Sequence, residues 1–334
     1  MPHATLSMSM KRTRPATKKI RGLPQRNRSF ALIGLAALVI AALAASVFYL
    51  QPQADTVTTA SFQAEAGSKT GLTTVTDATA AAGSAIKFGA ANTGGSGEPA
   101  PIGNLPGWTH KFTQDFNTNA TLGQFRAAYG AAWDGYNGYE DTSRNLGRPT
   151  GQRGLYSASK TVTVQNSILD VYVHTEGVQP YVFALTPPDT RQLYGRYAVR
   201  FRSDVVQGYK VAWLLWPDSE NWNEGEIDFP EADLGSNING FSHDVTGNPN
   251  SNAWIVNTNT SMQQWHTAVI EWTPTVLRFK LDNQSWQTTN AKAIPTKSMH
   301  WVLQTETQLS STPPPVSAAG HVQIDWVAGW AYSP

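Results

Sequence analysis

The residues best suited to chemistry form a dense acidic group, Glu220, Glu224, Glu226, Asp228, Glu231 and Asp233, centred on Gly225-Glu226-Ile227-Asp228-Phe229-Pro230-Glu231. In an extended strand successive side chains alternate faces, so Glu226 and Asp228 share one face while Ile227 and Phe229 point to the other. Glu231 then falls on the wrong face, unless one extra residue enters the strand as a β-bulge. Pro230 marks the place for it, because proline inside a sheet is confined to edges and bulges. The spacing therefore predicts a bulge between Asp228 and Glu231 that sets three carboxylates side by side. Such a row repels itself. It reads as a catalytic set, as a site for a hard cation or as a solvated acidic edge. The apolar Ile227 and Phe229, together with the apolar Val211–Trp216 upstream, speak for a strand packed on its other side.

Paired carboxylates suit the cleavage of glycosidic bonds. The departing oxygen needs a proton, and the positive charge that develops on the sugar needs an anion or a nucleophile. One carboxyl must hold its proton near neutral pH while the other is ionised, and mutual repulsion helps to separate them. Asp228, between the other two, is placed to hydrogen-bond with Glu226 and set its charge and orientation.

The elements that must position these acids read as strands. Alternating patterns recur at Thr161–Val164, Ile168–Val173, Tyr194–Arg202, Ala268–Trp272, Val276–Leu281 and Val322–Val327, with Asp282-Asn283 as a tight turn. Tyr197, Val199 and Phe201 share one face of their strand, and Arg196, Arg200 and Arg202 the other. No stretch of a dozen residues shows a helical period. Residues 107–334 thus read as one all-β domain of two packed antiparallel sheets.

The rest of the 334-residue chain differs in composition. Eight lysines and arginines and no acid precede residue 29, which leaves the remainder acidic on balance despite a formal net charge of +1. Such a surface has no general attraction for phosphate backbones, so no nucleic-acid partner is expected. Residues 30–50 form an apolar run long enough to cross a bilayer, at about 1.5 Å per helical residue. The basic arm of 1–29 predicts a cytoplasmic N-terminus, with 30–50 as a transmembrane anchor or a long signal segment. Residues 51–106, rich in Ala, Thr, Ser and Gly, read as a flexible linker. The expected location is the cell membrane with the C-terminal domain outside, or secretion if the segment is cleaved. The chain has no cysteine, which excludes disulfides, thiolate nucleophiles and zinc–thiolate sites. Neither a nucleophile elbow nor a P-loop nor a dinucleotide fingerprint is present. All 12 tryptophans fall between Trp108 and Trp330, and flat side chains of this kind fill cores or stack on sugar rings.

The stretch from Gly208 to Trp222 (GYKVAWLLWPDSENW), followed by Glu226-Ile227-Asp228-Phe229-Pro230-Glu231, closely resembles the signature of glycoside hydrolase family 16. The resemblance extends to Tyr194-Gly195-Arg196-Tyr197, Trp265-His266-Thr267, Leu303-Gln304-Thr305-Glu306 and Ile324-Asp325-Trp326-Val327, and so covers essentially all of 107–334. It implies a β-jelly-roll sandwich with a concave substrate cleft and retaining hydrolysis, with Glu226 as nucleophile, Glu231 as general acid/base and Asp228 as the assisting carboxylate. The longer, bulged form of the motif leans toward laminarinase-like endo-β-1,3(4)-glucanases. Asn223 stands where proline is expected in that group.

Trp222 is the first candidate for a sugar-stacking platform. Trp213 and Trp216 are further candidates, for which core packing is the competing reading. His243 is placed to hydrogen-bond a substrate hydroxyl or Glu231, and Gln304 and Glu306 share a strand face that borders the cleft in the family. The resemblance also suggests a structural calcium near Asp325, with no cofactor required for catalysis. The expected partner is a β-linked polysaccharide, with the catalytic domain monomeric. The competing readings are hydrolysis or transglycosylation of another β-linked glycan, such as a galactan or an envelope glycan, and a non-catalytic glycan-binding module. Such modules commonly lose a catalytic acid, and this chain keeps all three.

Overall fold

The computed structural model describes residues 72–76, 84–88 and 95–334. The basic arm 1–29 and the apolar segment 30–50 lie outside these residues, and among the described residues no helix is long and apolar enough to cross a membrane. Within the stretch read as linker, β1 (Leu72–Thr76) and β2 (Ser84–Phe88) pair antiparallel. Residues from 95 onward are also anchored: the Gly95 amide donates to the Asn166 carbonyl at 2.6 Å, and Ala100 packs with Trp108 on Trp326 and Trp330. A Gly/Ser stretch docks through its backbone and short side chains, which composition does not reveal.

The domain carries β3 (Trp108–Gln114), β4 (Leu155–Tyr156), β5 (Val162–Gln165), β6 (Ile168–Glu176), β7 (Gln179–Leu185), β8 (Gly195–Ser203), β9 (Tyr209–Pro217) and β10 (Ile227–Asp233). It continues with β11 (Asn237–Asp244), β12 (Asn248–Ser261), β13 (His266–Trp272), β14 (Leu277–Leu281), β15 (Gln284–Thr288), β16 (Met299–Thr307) and β17 (Gly320–Tyr332). Its helices are short, α1 (Phe125–Tyr129) and α2 (Ala158–Thr161) among them. The hydrogen-bonded order runs β12-β11-β10-β9-β16-β7-β6-β17-β8-β13-β14-β15, with β3 on β17, β4 on β7 and β5 on β6. Strand β6 links the two layers: Leu169–Val173 pair with β17, whereas His174–Glu176 pair with β7. The sheet thereby folds over on itself as the expected sandwich of antiparallel strands.

Between the layers sits one apolar core, and its aromatic contacts set the orientation of β10. Phe229 stacks on Phe279 of β14 with ring centroids 4.7 Å apart, and Trp254 of β12 covers the other face of Phe279 at 4.6 Å. Gly240 of β11 makes room for this, since a Cβ there would come within 2.6 Å of the Phe279 ring. Because Phe229 is held inward, its neighbours along β10 must face outward. Trp213, Trp272, Trp301 and Trp330 are among the largest fully buried side chains, so much of the tryptophan content serves packing.

Candidate active site

The outward face of β9, β10, β11 and β16 forms the floor of an open cleft of about 660 Å³. Strand register explains its lining. Leu214 lies opposite Asp228 and Ala212 opposite Glu231, while Gln304 pairs with Ala212 and Glu306 with Lys210. Between Asp228 and Glu231, β10 uses one residue more than either neighbour, since Leu214 to Ala212 on β9 and Phe241 to Asn239 on β11 each advance by two. This is the bulge expected from the spacing, and Pro230 lies within it. It returns Glu231 to the face of Asp228 while Phe229 stays in the core.

Glu226 stands at the mouth of the strand. Gly225 before it has φ of 114°, and a Cβ there would sit 2.7 Å from the Pro295 side chain, so only glycine lets the chain pass this close. The Trp222 indole N–H donates to the Glu226 carboxylate at 2.5 Å, from a short turn in which the Asn221 side chain accepts from the Asn223 amide. His243 Nε2 lies 3.3 Å from Asp228 and 3.7 Å from Glu226. Its Nδ1 lies 2.5 Å from the Pro249 carbonyl, which can only accept, so Nδ1 carries a proton. At the far end of the row, the Lys210 ammonium from β9 grips Glu231.

The charges in the cleft balance. Burial and the Asp228 charge push Glu226 well above the usual carboxylate range, against the opposing pull of His243 and Trp222. Glu231 is also raised, by burial and Asp228, with Lys210 pulling down. His243 is raised to about 9: burial opposes its charge, but Asp228 and Glu226 outweigh it, so it is an imidazolium at neutral pH. Two cations thus bracket three carboxyls. The buried row approaches neutrality when it holds one proton, and burial with Asp228 favours that proton on Glu226 more than on Glu231, which Lys210 pulls down. The polar atoms of Glu226, Asp228 and His243 lie within 4.8 Å of one another.

The His243 shift carries a consequence for stability. A group whose folded pKa is raised contributes fully below its unfolded value and loses that contribution as pH climbs through the folded one. Stability is therefore expected to fall between about pH 6.5 and 9, by at most about 3 kcal/mol. The slope should be shallower in His243→Gln, where the raised Glu226 and Glu231 carboxyls still contribute. Chemical denaturation of both proteins across this range checks it, and equal slopes would contradict a protonated His243.

Of the residues singled out by sequence, Glu226, Asp228, Glu231, Trp216, Trp222, His243, Gln304 and Glu306 all border this cleft. Trp216 donates from its indole to Glu220 at 2.8 Å. Glu306 is buried and accepts from Tyr156 Oη at 2.5 Å and Thr142 Oγ1 at 2.8 Å, which makes it a brace of the wall more than an open contact. Trp213 does not reach the cleft. It is fully buried, edge-on to Phe201 at 4.9 Å, because the two-residue period sends Lys210, Ala212, Leu214 and Trp216 out and Trp213 in. Of the 12 tryptophans, Trp216 and Trp222 line the cleft.

Asp325 lies on β17, in the second layer. Its carboxylate accepts from Ser96 Oγ at 2.5 Å and from the Ser96 amide at 3.1 Å, with Arg200 Nε at 4.0 Å. The Arg200 guanidinium thus supplies countercharge from the edge of ion-pair distance.

Sequence reasoning missed Lys210, whose signal was its place in the outward register of an otherwise apolar strand. It also missed Thr142, Arg144 and Asn145, which reach the cleft from a loop that carries the short 3-10 helix Thr142–Leu146. That loop is fixed by Asp141, which caps Ser143 and accepts from the Thr307 amide at 2.8 Å. A groove of about 1050 Å³ continues from the cleft past Tyr136, Arg144 and Gln304.

Residues 174–328 match the sequence profile of glycosyl hydrolases family 16. A search of curated proteins gives no match. Among solved structures, the laminarinase from Rhodothermus marinus superposes with a TM-score of 0.53 at 17% identity, covering 68% of this chain and 98% of that one. The catalytic domain of an endo-1,3-β-glucanase (laminarinase) from Thermotoga petrophila RKU-1 gives 0.53 at 15% identity, over 68% and 99%. A structure reported with endo-acting O-glycanases of the human gut microbiota gives 0.51 at 16% identity, over 67% and 100%. At such identities the structures speak for the fold alone. Over residues 174–328 the chain therefore matches glycosyl hydrolases family 16, in agreement with the acidic motif, and the solved structures share its fold.

Proposed function

We propose that the chain is a retaining endo-β-glucanase that cleaves β-1,3 or mixed β-1,3/1,4 glucan. The observation that carries this reading is the bulged strand, which sets Glu226, Asp228 and Glu231 on the floor of one open cleft. Glu226 attacks the anomeric carbon while Glu231 passes its proton to the departing oxygen. Water then gives a proton to Glu231 and its oxygen to the anomeric carbon, which frees Glu226. Asp228, bridging Glu226 and His243, holds the nucleophile in place. Trp222 and Trp216 offer indole faces to sugar rings, and the adjoining groove leaves room for a polymer to run past the scissile bond.

The test is to incubate the full-length chain with laminarin, lichenan, barley β-glucan, agarose, xyloglucan and mucin glycans and to follow new reducing ends and oligosaccharides. Products from laminarin or lichenan support the reading. Products only from a galactan or mucin glycan would keep the hydrolase and replace the substrate, and binding without turnover would favour a glycan-binding module. The apolar segment 30–50 is proposed to hold this domain outside the membrane. Recovery of the full-length chain in the soluble cytoplasmic fraction would contradict that.

A further inference from the structure

Lys210 has no evident reason to be where it is for packing alone. It is 6% exposed, on a strand otherwise buried from Tyr209 to Leu215. A buried ammonium is costly unless it is paired. Four carboxyls lie around it: Glu231 of β10 in direct contact, Asp233 opposite it on β10, Glu306 opposite it on β16, and Asp228 further along β10. Glu306 already accepts from Tyr156 and Thr142, so Glu231 is the group that Lys210 holds.

The groups facing Glu231 come from every strand of the floor. Asp228 on its own strand and Glu306 on β16 favour its protonated form, as burial does, and Lys210 on β9 alone favours the ionised one. His243 and Glu226 act at the other end of the row, through Asp228. On the reading of Glu231 as acid/base, its carboxyl must lose a proton as the glycosidic bond breaks. The ion pair with Lys210 is complete only after that loss.

We infer that Lys210 is a positioning residue for the acid/base step: it fixes the Glu231 carboxyl in the cleft and stabilises the carboxylate left behind by proton delivery. In the first half-reaction the proton moves from Glu231 to the glycosidic oxygen. The carbon–oxygen bond breaks with its electron pair going to that oxygen, and Glu226 bonds to the anomeric carbon. Lys210 neither gains nor loses a proton. Its effect is on the charge that appears beside it, so it contributes most where the leaving group needs protonation.

The experiment titrates full-length protein carrying ¹³C-carboxyl-labelled glutamate by NMR, with the Glu231 resonance assigned through Glu231→Gln. Lys210→Met should raise the Glu231 midpoint by about one pH unit or more, and Lys210→Arg should restore most of it. The basic limb of kcat/KM should move up in parallel. Turnover of β-glucan should fall at least about tenfold more than turnover of an aryl glycoside whose leaving group needs no proton. If the Met variant does not fold, Lys210→Gln replaces it. An unmoved midpoint, or equal losses on both substrates, would overturn the inference while leaving the hydrolase reading intact. A moved midpoint in a protein without turnover on any glycan would show Lys210 to be a charge partner only, and would overturn both.

Discussion

Glu226→Gln is expected to lower turnover of soluble β-glucan by about 10⁴-fold or more, since an amide cannot form the glycosyl-enzyme bond. Binding of oligosaccharide should persist, because the amide oxygen can still accept the Trp222 indole N–H and the cleft keeps its shape. The fold should not suffer. Glu226 is half of a buried carboxyl pair that raises its own pKa well above normal, and removing one charge relieves repulsion with Asp228. Calorimetry on the apo proteins should show a melting temperature equal to or above that of the wild type. Normal turnover in this variant would remove Glu226 from the role of nucleophile.

Glu231→Gln should behave differently in both respects. Loss of a general acid/base costs about 10²–10⁴-fold on substrates with poor leaving groups. On an aryl glycoside with a good leaving group, glycosylation no longer needs the proton, and azide can then attack the glycosyl-enzyme. The expected product is a β-glycosyl azide. An α-azide would contradict double displacement, and no rescue would contradict the assignment of Glu231. Stability should fall as well, by about 1–3 kcal/mol, because the amide oxygen can still accept from Lys210 but brings no charge to offset its buried ammonium. The two glutamates therefore separate in thermal melts before any kinetics is done: one relieves repulsion, the other breaks a pair.

Much of the strand framework was legible from periodicity. The alternating runs at Ile168–Val173, Ala268–Trp272 and Val276–Leu281 correspond to β6, β13 and β14, and Asp282-Asn283 turns β14 into β15. Register-dependent statements were legible only where the pattern was interrupted. Pro230 and the odd spacing of Glu231 sufficed to locate the bulge, because proline and a two-residue period cannot both be satisfied in a regular strand. Where the pattern was uniformly apolar, as in Val211–Trp216, it gave no face. Trp213 and Trp216 looked alike in the sequence, and yet one is core and the other borders the cleft. A strand covered on both sides carries no alternation to read.

By itself the sequence determined which acids could share one face, that a bulge must separate Asp228 from Glu231, and that an all-β domain must carry them. These follow from local geometry, in which side-chain direction depends on neighbours along the chain. The tertiary structure decided what stands beside each acid: His243 and Trp222 at Glu226, Lys210 at Glu231, Arg200 and Ser96 at Asp325. Those partners come from other strands and loops. The protonation state of a buried carboxyl is set by the charges and donors within a few ångströms in space, whatever their distance along the chain.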